Sequence, residues 1–339
     1  MSYSTQKGVL NRLEAESRKA GRRLEDRQCE ELGKLWAGTK ADIEYIILQE
    51  YRRDFGTGLW HTAEAHAKGT LPRIRHRTLG CLSTFYIVSY SRIKTFVRES
   101  YLHELARQLW MLDCLTPRSV QPALPSKVLR EASAKPGDSK SGWETALAEW
   151  VEAYHSNLMT NLRLEALHEG DIDSAAMEVN ATKVGGHDPA YKFSSFLIDQ
   201  ILQTQRDARS DVAEENGDIV AEEIFQTMED GRVCEDCDSQ DGKPIEEVDM
   251  SLDHIFGFRC RCFTRIVPVG FADLLRNGDE AERQAALTRD ALGLVPDAMA
   301  IVDPETGKLK AHAMLSFDEW MGGERGINIM GVAGSRIAR

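Results

Sequence analysis

Four of the chain's seven cysteines fall within 29 residues, as Cys234-x2-Cys237 and, after 22 further residues, Cys260-x-Cys262. A segment this short buries little apolar core, so a cross-link has to supply what packing cannot. Two thiols three positions apart on a turn can point both sulfurs at one ion. Two thiols at the strand period of two share a face. Zinc takes four such ligands at tetrahedral geometry, and a structural zinc contributes on the order of 10–16 kcal/mol of apparent folding energy in small peptides. The expectation is therefore one structural Zn2+ held by Cys234, Cys237, Cys260 and Cys262, with His254 as an alternative ligand. Disulfides formed in an extracellular particle, or reduced thiols without metal, are the other readings of the same spacing. Four thiolates would close the coordination sphere, so a catalytic metal is not expected. Cys29, Cys81 and Cys114 stand singly in helical sequence.

Most of the remaining chain reads as helix. Residues 5–55 carry a stripe through Val9, Leu10 and Leu13 and a second through Ile43, Ile46, Ile47 and Tyr51, ended by Gly56. Residues 60–68 look helical, and Gly69 to Pro72 interrupts them. Thr78 to Leu115 reads as a long helix or a pair. Gly142 to Leu167 is a clear helix, with Leu147, Trp150, Val151, Tyr154, Leu158 and Leu162 stepping mostly by three and four. Residues 169–190 read as loop, and Phe193 opens a helix to about Glu215. Three short strands are expected at Glu222–Met228, Pro244–Val248 and Cys262–Val267. A helical piece follows at Phe271–Leu292, then a hairpin around Asp303–Gly307, a short helix near Phe317–Met321 and a frayed tail.

Charge divides the chain. The total is −12, but residues 1–130 sum to +8 and the remainder to −20. The sign changes across 116–141, where Pro117, Pro122, Pro125 and Pro136 mark a linker. The expected organisation is a basic helical domain (1–115), this linker (116–141), a helical region (142–216), a cysteine module (217–270) and a C-terminal α/β extension with tail (271–339). The fold class is α+β: mainly α-helical, with a small C-terminal β-containing zinc-binding module. The overall acidity argues against a generic nucleic-acid binder, but only for the acidic part. In the basic part, Arg73, Arg75 and Arg77, then Arg92, Lys94 and Arg98, are interleaved with Phe85, Tyr86, Tyr90 and Phe96. Such a surface can contact phosphates or an acidic protein face. It can equally be a solvated helical face whose aromatics are core. The segment Met1–Lys7 has no apolar core of a secretory signal, and no run of 18 apolar residues occurs, so a soluble chain with no membrane partner is expected.

The residues around the cysteines carry a more specific signal. Asp230-Gly231-Arg232-Val233-Cys234-Glu235-Asp236-Cys237 leads to Asp241-Gly242, then to Arg259-Cys260-Arg261-Cys262 and Pro268. This order resembles the C-terminal region of phage head morphogenesis proteins, the MuF-like minor head protein family. There a strand leads to Asp-x-Arg-x-Cys-x-x-Cys, an Asp-Gly turn and a Cys-Arg-Cys followed by Pro. The helix Gln203–Asn216 and the segment Phe317-Asp318-Glu319-Trp320-Met321 are similar to the family's flanking elements, so the resemblance spans roughly residues 190–325. It departs where the family has His three residues before Cys-Arg-Cys: Gly257 stands there, and His254 is six residues before Cys260.

The resemblance implies a non-enzymatic minor capsid component of a tailed bacteriophage. Such a protein is made in the host cytoplasm and carried inside the virion near the portal vertex. It acts in head assembly and in DNA packaging or ejection. The implied partners are the portal protein and the major capsid protein, with packaged double-stranded DNA as a further candidate for the basic part. Two other classes compete. A zinc-ribbon DNA-binding protein would need a basic surface, but Glu235, Asp236, Asp238, Asp241, Glu246, Glu247 and Asp249 outnumber the arginines there. An HNH-like nuclease would need an Asn and a second His soon after His254, and the next histidine is His312.

Overall fold

The computed structural model describes residues 5–56, 68–115, 122–125, 142–168, 171–227, 233–252, 255–256, 260–268, 298–302, 309–313, 315–323 and 329. It is mostly helical, and the described residues include two small antiparallel two-stranded sheets. The chain divides into two compact units, each drawing on segments from both sides of residues 116–141. One comprises Asp26–Val97 and Gly137–Gln200. The other comprises Met1–Glu25, Arg98–Pro136 and Ile201–Arg339.

Helices α1 (Thr5–Phe55) and α2 (Thr70–Leu115) are long and contribute to both units. The two apolar stripes of residues 5–55 belong to one uninterrupted helix. It ends where Gly56 adopts φ +62, a backbone conformation that a side chain disfavours. The expected start near Thr78 is corrected: α2 begins at Thr70, directly after the turn at Gly69 (φ +68), and takes Pro72 into its first turn, where a missing N–H leaves no helical acceptor unpaired. Helix α3 runs Gly142–Leu167 as expected. The expected loop at 169–190 instead contains α4 (Ile172–Ala181). Asp171 caps it by accepting a hydrogen bond from the Ser174 N–H at 2.8 Å, and Ala175, Ala176 and Val179 form its buried face. The glycines near this segment lie outside α4. Helix α5 covers Pro189–Glu215.

The Asp26–Val97 and Gly137–Gln200 unit is organised on an aromatic centre. Trp36 packs edge-on against Phe85, Trp150 and Tyr154 at 5.2, 4.8 and 4.8 Å between ring centroids. Tyr154 is fully buried and donates its hydroxyl proton to the Val179 carbonyl at 3.0 Å, so its polar end is satisfied while its ring packs.

In the other unit, strand β1 (Val220–Gln226) follows α5 and pairs antiparallel with β2 (Phe263–Pro268), in the register Gln226–Phe263 to Glu222–Val267. Between them lies helix α6 (Glu235–Gln240). The expected strand at Pro244–Val248 is corrected to a 3-10 turn at Ile245–Glu247, with Pro244 making a single bridge to Ile224. Proline lacks the N–H that would continue a ladder, so the third strand stops at one pair. Strands β3 (Ala298–Val302) and β4 (Leu309–Ala313) form the expected hairpin, and α7 (Phe317–Met321) follows with a Ser316/Glu319 capping box. Helix α7 is tied to the end of α2: the indole N–H groups of Trp320 and Trp110 donate to Asp113 and to the Leu315 carbonyl, both at 2.8 Å.

Of the linker, residues 122–125 are described. The Asn216 side chain accepts from the Ala123 N–H at 2.5 Å and donates to the Ala123 carbonyl at 3.0 Å, as a neighbouring strand would. Of the helix expected at 60–68, Lys68 lies in a turn and residues 60–67 lie outside the described residues, as do the expected helix Phe271–Leu292 and the tail 331–339.

Candidate metal centre

The sulfurs of Cys237, Cys260 and Cys262 converge. They lie within 4.8 Å of one another, and the Cys237 and Cys260 sulfurs are 3.7 Å apart. A zinc–sulfur distance of about 2.3 Å in a tetrahedron sets a sulfur–sulfur edge of about 3.8 Å, so the spacing suits one ion shared between ligands. It is well beyond the roughly 2.0 Å of a disulfide, and all seven cysteines are free thiols.

Local structure explains the convergence. Cys234 is the N-cap of α6, and its sulfur accepts the Cys237 N–H at 3.5 Å. Cys237 sits in the first turn, where its side chain folds back toward the cap, and the two sulfurs are within hydrogen-bonding reach. Cys234 is exposed, whereas the other three are buried with Phe225, Val248 and Ile255. The Asp241–Gly242 turn closes the loop. Gly242 has φ +77, its N–H donates to the Phe225 carbonyl at 2.9 Å, and the Phe225 N–H donates to the Lys243 carbonyl at 2.8 Å. Asp241 also accepts from the Gln226 amide at 3.0 Å and the Thr227 N–H at 2.6 Å. Cys260 and Cys262 were expected on the return strand; they stand just before β2, which begins at Phe263.

The thiols are electrostatically coupled. Hydrogen bonding from the Cys262 thiol, backbone N–H groups of Cys262 and Phe256, and the nearby Arg206 guanidinium together outweigh burial and push Cys260 down to about 5. Burial, followed by hydrogen bonding to Cys234, pushes Cys237 up to about 12, and Cys262 is raised by its bond to Cys260 and by burial. One sulfur thus ionises readily while its neighbours resist a second negative charge. A dication would remove that conflict, since metal binding deprotonates its thiols.

Sequence reasoning missed Arg206. From α5 its guanidinium donates to the carbonyls of Phe256 (3.1 Å), Cys262 (3.3 Å) and Cys260, and lies 4.6 Å from the Phe256 ring centroid. Phe256 has φ +52, a conformation that costs a side-chain-bearing residue about 1–2 kcal/mol. Arg206 holds both this strained residue and the Cys260–Cys262 backbone in place. Its only sequence signal was its position in the helix preceding β1. His254, the alternative ligand, lies outside the described residues, as do Asp230, Arg232 and Arg259.

The basic cluster is dispersed. Arg73 donates to Glu50 at 2.7 Å, to the Lys68 carbonyl at 2.6 Å and to Asp54; Arg77 donates to Glu50 at 2.7 Å. Burial opposes ionisation of Glu50, but these two arginines hold its carboxyl below the ordinary value. Arg92 is 3.5 Å from Glu31. Arg75, Lys94 and Arg98 are exposed. Phe85 and Phe96 are core residues, and Tyr90 donates to Glu144 at 2.7 Å. No helix among the described residues is long and apolar enough to cross a membrane.

No family model, curated protein or solved structure matches the chain.

Proposed function

We propose that this chain is a minor capsid protein of a tailed bacteriophage, a non-enzymatic component of head morphogenesis held inside the head near the portal vertex. The observation that carries the reading is the cysteine module. The segments whose order resembles the MuF-like region belong to one unit: residues 201–215 of helix α5, strand β1, the Cys234–Cys237 cap, the Asp241–Gly242 turn, Cys260–Cys262 and strand β2. The Phe317–Trp320 segment docks beside them on α2.

In this reading the metal is a structural Zn2+ bound by Cys234, Cys237, Cys260 and Cys262. The buried Cys237, Cys260 and Cys262 would supply three ligands, and the exposed Cys234 at the cap of α6 would supply the fourth. The ion would cross-link the start of α6 to the Cys260–Cys262 segment that leads into β2, a part of the chain with a small apolar core of its own. The arrangement supplies rigidity rather than chemistry.

The test is the composition of purified virions of the phage that encodes the chain. The protein is expected at low copy number beside the portal protein, retained in emptied heads or released with the DNA. Its absence from particles, with presence only in infected-cell lysate, would overturn the reading.

A further inference from the structure

The exposed face of α2 within residues 72–97 is uncharged along its middle. From Thr78 to Ser91 the helix carries no charged residue, a length of roughly 20 Å at 1.5 Å per residue. Two adjacent ridges with i, i+4 spacing form this face. One is Leu79–Ser83–Ile87–Ser91, the other Gly80–Thr84–Val88, and all of these residues are exposed. Ile87 is 65% accessible, Leu79 46% and Val88 36%. The intervening hydroxyls do not make the face polar, because Ser83 donates to the Leu79 carbonyl at 2.8 Å and Thr84 to the Gly80 carbonyl at 3.1 Å. A Cβ on Gly80 would meet nothing within 4 Å, so another backbone can approach closely there.

Charge selects the occupant. No Asp or Glu occurs in α2 before Glu99, and the face is bounded by Arg75 at one end and by Lys94 at the other, both exposed, with the exposed Arg92 beside Lys94 also 3.5 Å from Glu31. A second copy of the same face would bring cation against cation in either orientation, which opposes self-association. Duplex DNA would meet the basic ends but would set its phosphates over Leu79, Ile87 and Val88 between them, where nothing neutralises them. An amphipathic helix with an apolar centre and carboxylates at both ends satisfies every part of the surface.

We infer that this face of α2 docks an acidic helix of a partner protein, whose carboxylate groups are spaced about 28 Å apart, some five helical turns, to match the interval from Arg75 to Lys94. The inference rests on the proposed function only for where that partner is found, in the assembling head.

The test places a photo-crosslinking phenylalanine analogue at Ile87 of the full chain during phage production, and identifies the cross-linked peptide by mass spectrometry. The expected product joins Ile87 to a helix of another head protein bearing Asp or Glu on both sides of an apolar stretch. Its yield should fall at least tenfold in an Arg75→Glu/Lys94→Glu variant, whose circular dichroism should be unchanged because both side chains are exposed. A Ser91→Ala variant should cross-link like the parent. Cross-links to DNA, to a second copy of this chain or to a helix without flanking carboxylates would overturn the inference, as would the absence of any product. Virion composition is read separately. Protein in virions without this cross-link refutes the docking surface alone, and the cross-link without virion incorporation refutes the capsid reading alone.

Discussion

Gly21 sits in α1 in the unit that contains the cysteine module, and replacing it with alanine isolates a buried charge cluster. Alanine is the better helix former by about 1 kcal/mol, so local propensity alone predicts stabilisation. The structure predicts the reverse. A Cβ at Gly21 would lie 2.1 Å from Nη1 and 2.8 Å from Cζ of Arg107. That guanidinium is only 2% accessible, donates to the Ser17 carbonyl and pairs with Glu104, which is fully buried. Arg209 donates to the same Glu104 at 2.6 Å and to the Thr264 carbonyl at 2.6 Å, linking the cluster to β2. In a helix the side chain at position i+4 shields the carbonyl at i; glycine at 21 leaves the Ser17 carbonyl open to Arg107. Burial lowers Arg107 to about 9, so it has little tolerance for losing partners. Displacing one member of a buried pair costs about 3–5 kcal/mol. Set against the propensity gain, Gly21→Ala should destabilise by about 2–4 kcal/mol. The assay is equilibrium urea unfolding followed by circular dichroism, with Gly33→Ala and Gly38→Ala as controls. A Cβ at either control position meets nothing within 4 Å, and each should stabilise by up to about 1 kcal/mol. In an Arg107→Met background, Gly21→Ala should become neutral or stabilising. If Gly21→Ala matches the control glycines in the wild-type background, the close approach of Arg107 is refuted.

Four further outcomes follow from the same geometry. The reduced protein should hold about one zinc per chain by elemental analysis, and a Cys234→Ser/Cys260→Ser variant should hold none; equal metal in both would refute the cysteine site. Arg206→Ala should weaken zinc retention against a chelator by on the order of 10–100-fold while leaving the four cysteines in place, since it removes the donors that position the Cys260–Cys262 backbone. Asn216→Ala removes two hydrogen bonds to Ala123 and one to the Val212 carbonyl, and should cost about 2–3 kcal/mol in urea unfolding. His155 is buried, and that burial lowers its pKa from 6.5 despite contacts with Thr78 and the Arg75 carbonyl. The unfolded chain therefore takes up the proton first. Stability should be flat above the ordinary histidine value and fall as pH drops below about 6.5, with a shallower fall in His155→Gln.

The long helices were legible because their information is local. Apolar residues at three- and four-residue steps marked α3 at its observed bounds, and the Gly56 stop was visible in α1. The same signals failed where a short element hid among breakers. Helix α4 was read as loop because Gly170 and Gly185–Gly186 dominated the window, although Asp171 followed three residues later by Ser174 forms its cap. Pro244 sat in a β-like run, and only the observed ladder limits it to one bridge.

The sequence by itself determined which four cysteines can act together, where the main helices run and how charge is distributed along the chain. All three depend on residue spacing, which the local backbone geometry converts directly into faces and turns. Tertiary structure alone decided that Cys237, Cys260 and Cys262 converge to within 4.8 Å while Cys234 stays exposed as a helix cap. It also decided that Arg73 and Arg77 are spent on Glu50, and that Arg107 reaches a carbonyl 90 residues away through the gap at Gly21. Those pairings join segments with no local signal for one another. They are fixed by how buried helices pack, because a charge taken out of water must find its partner within the core.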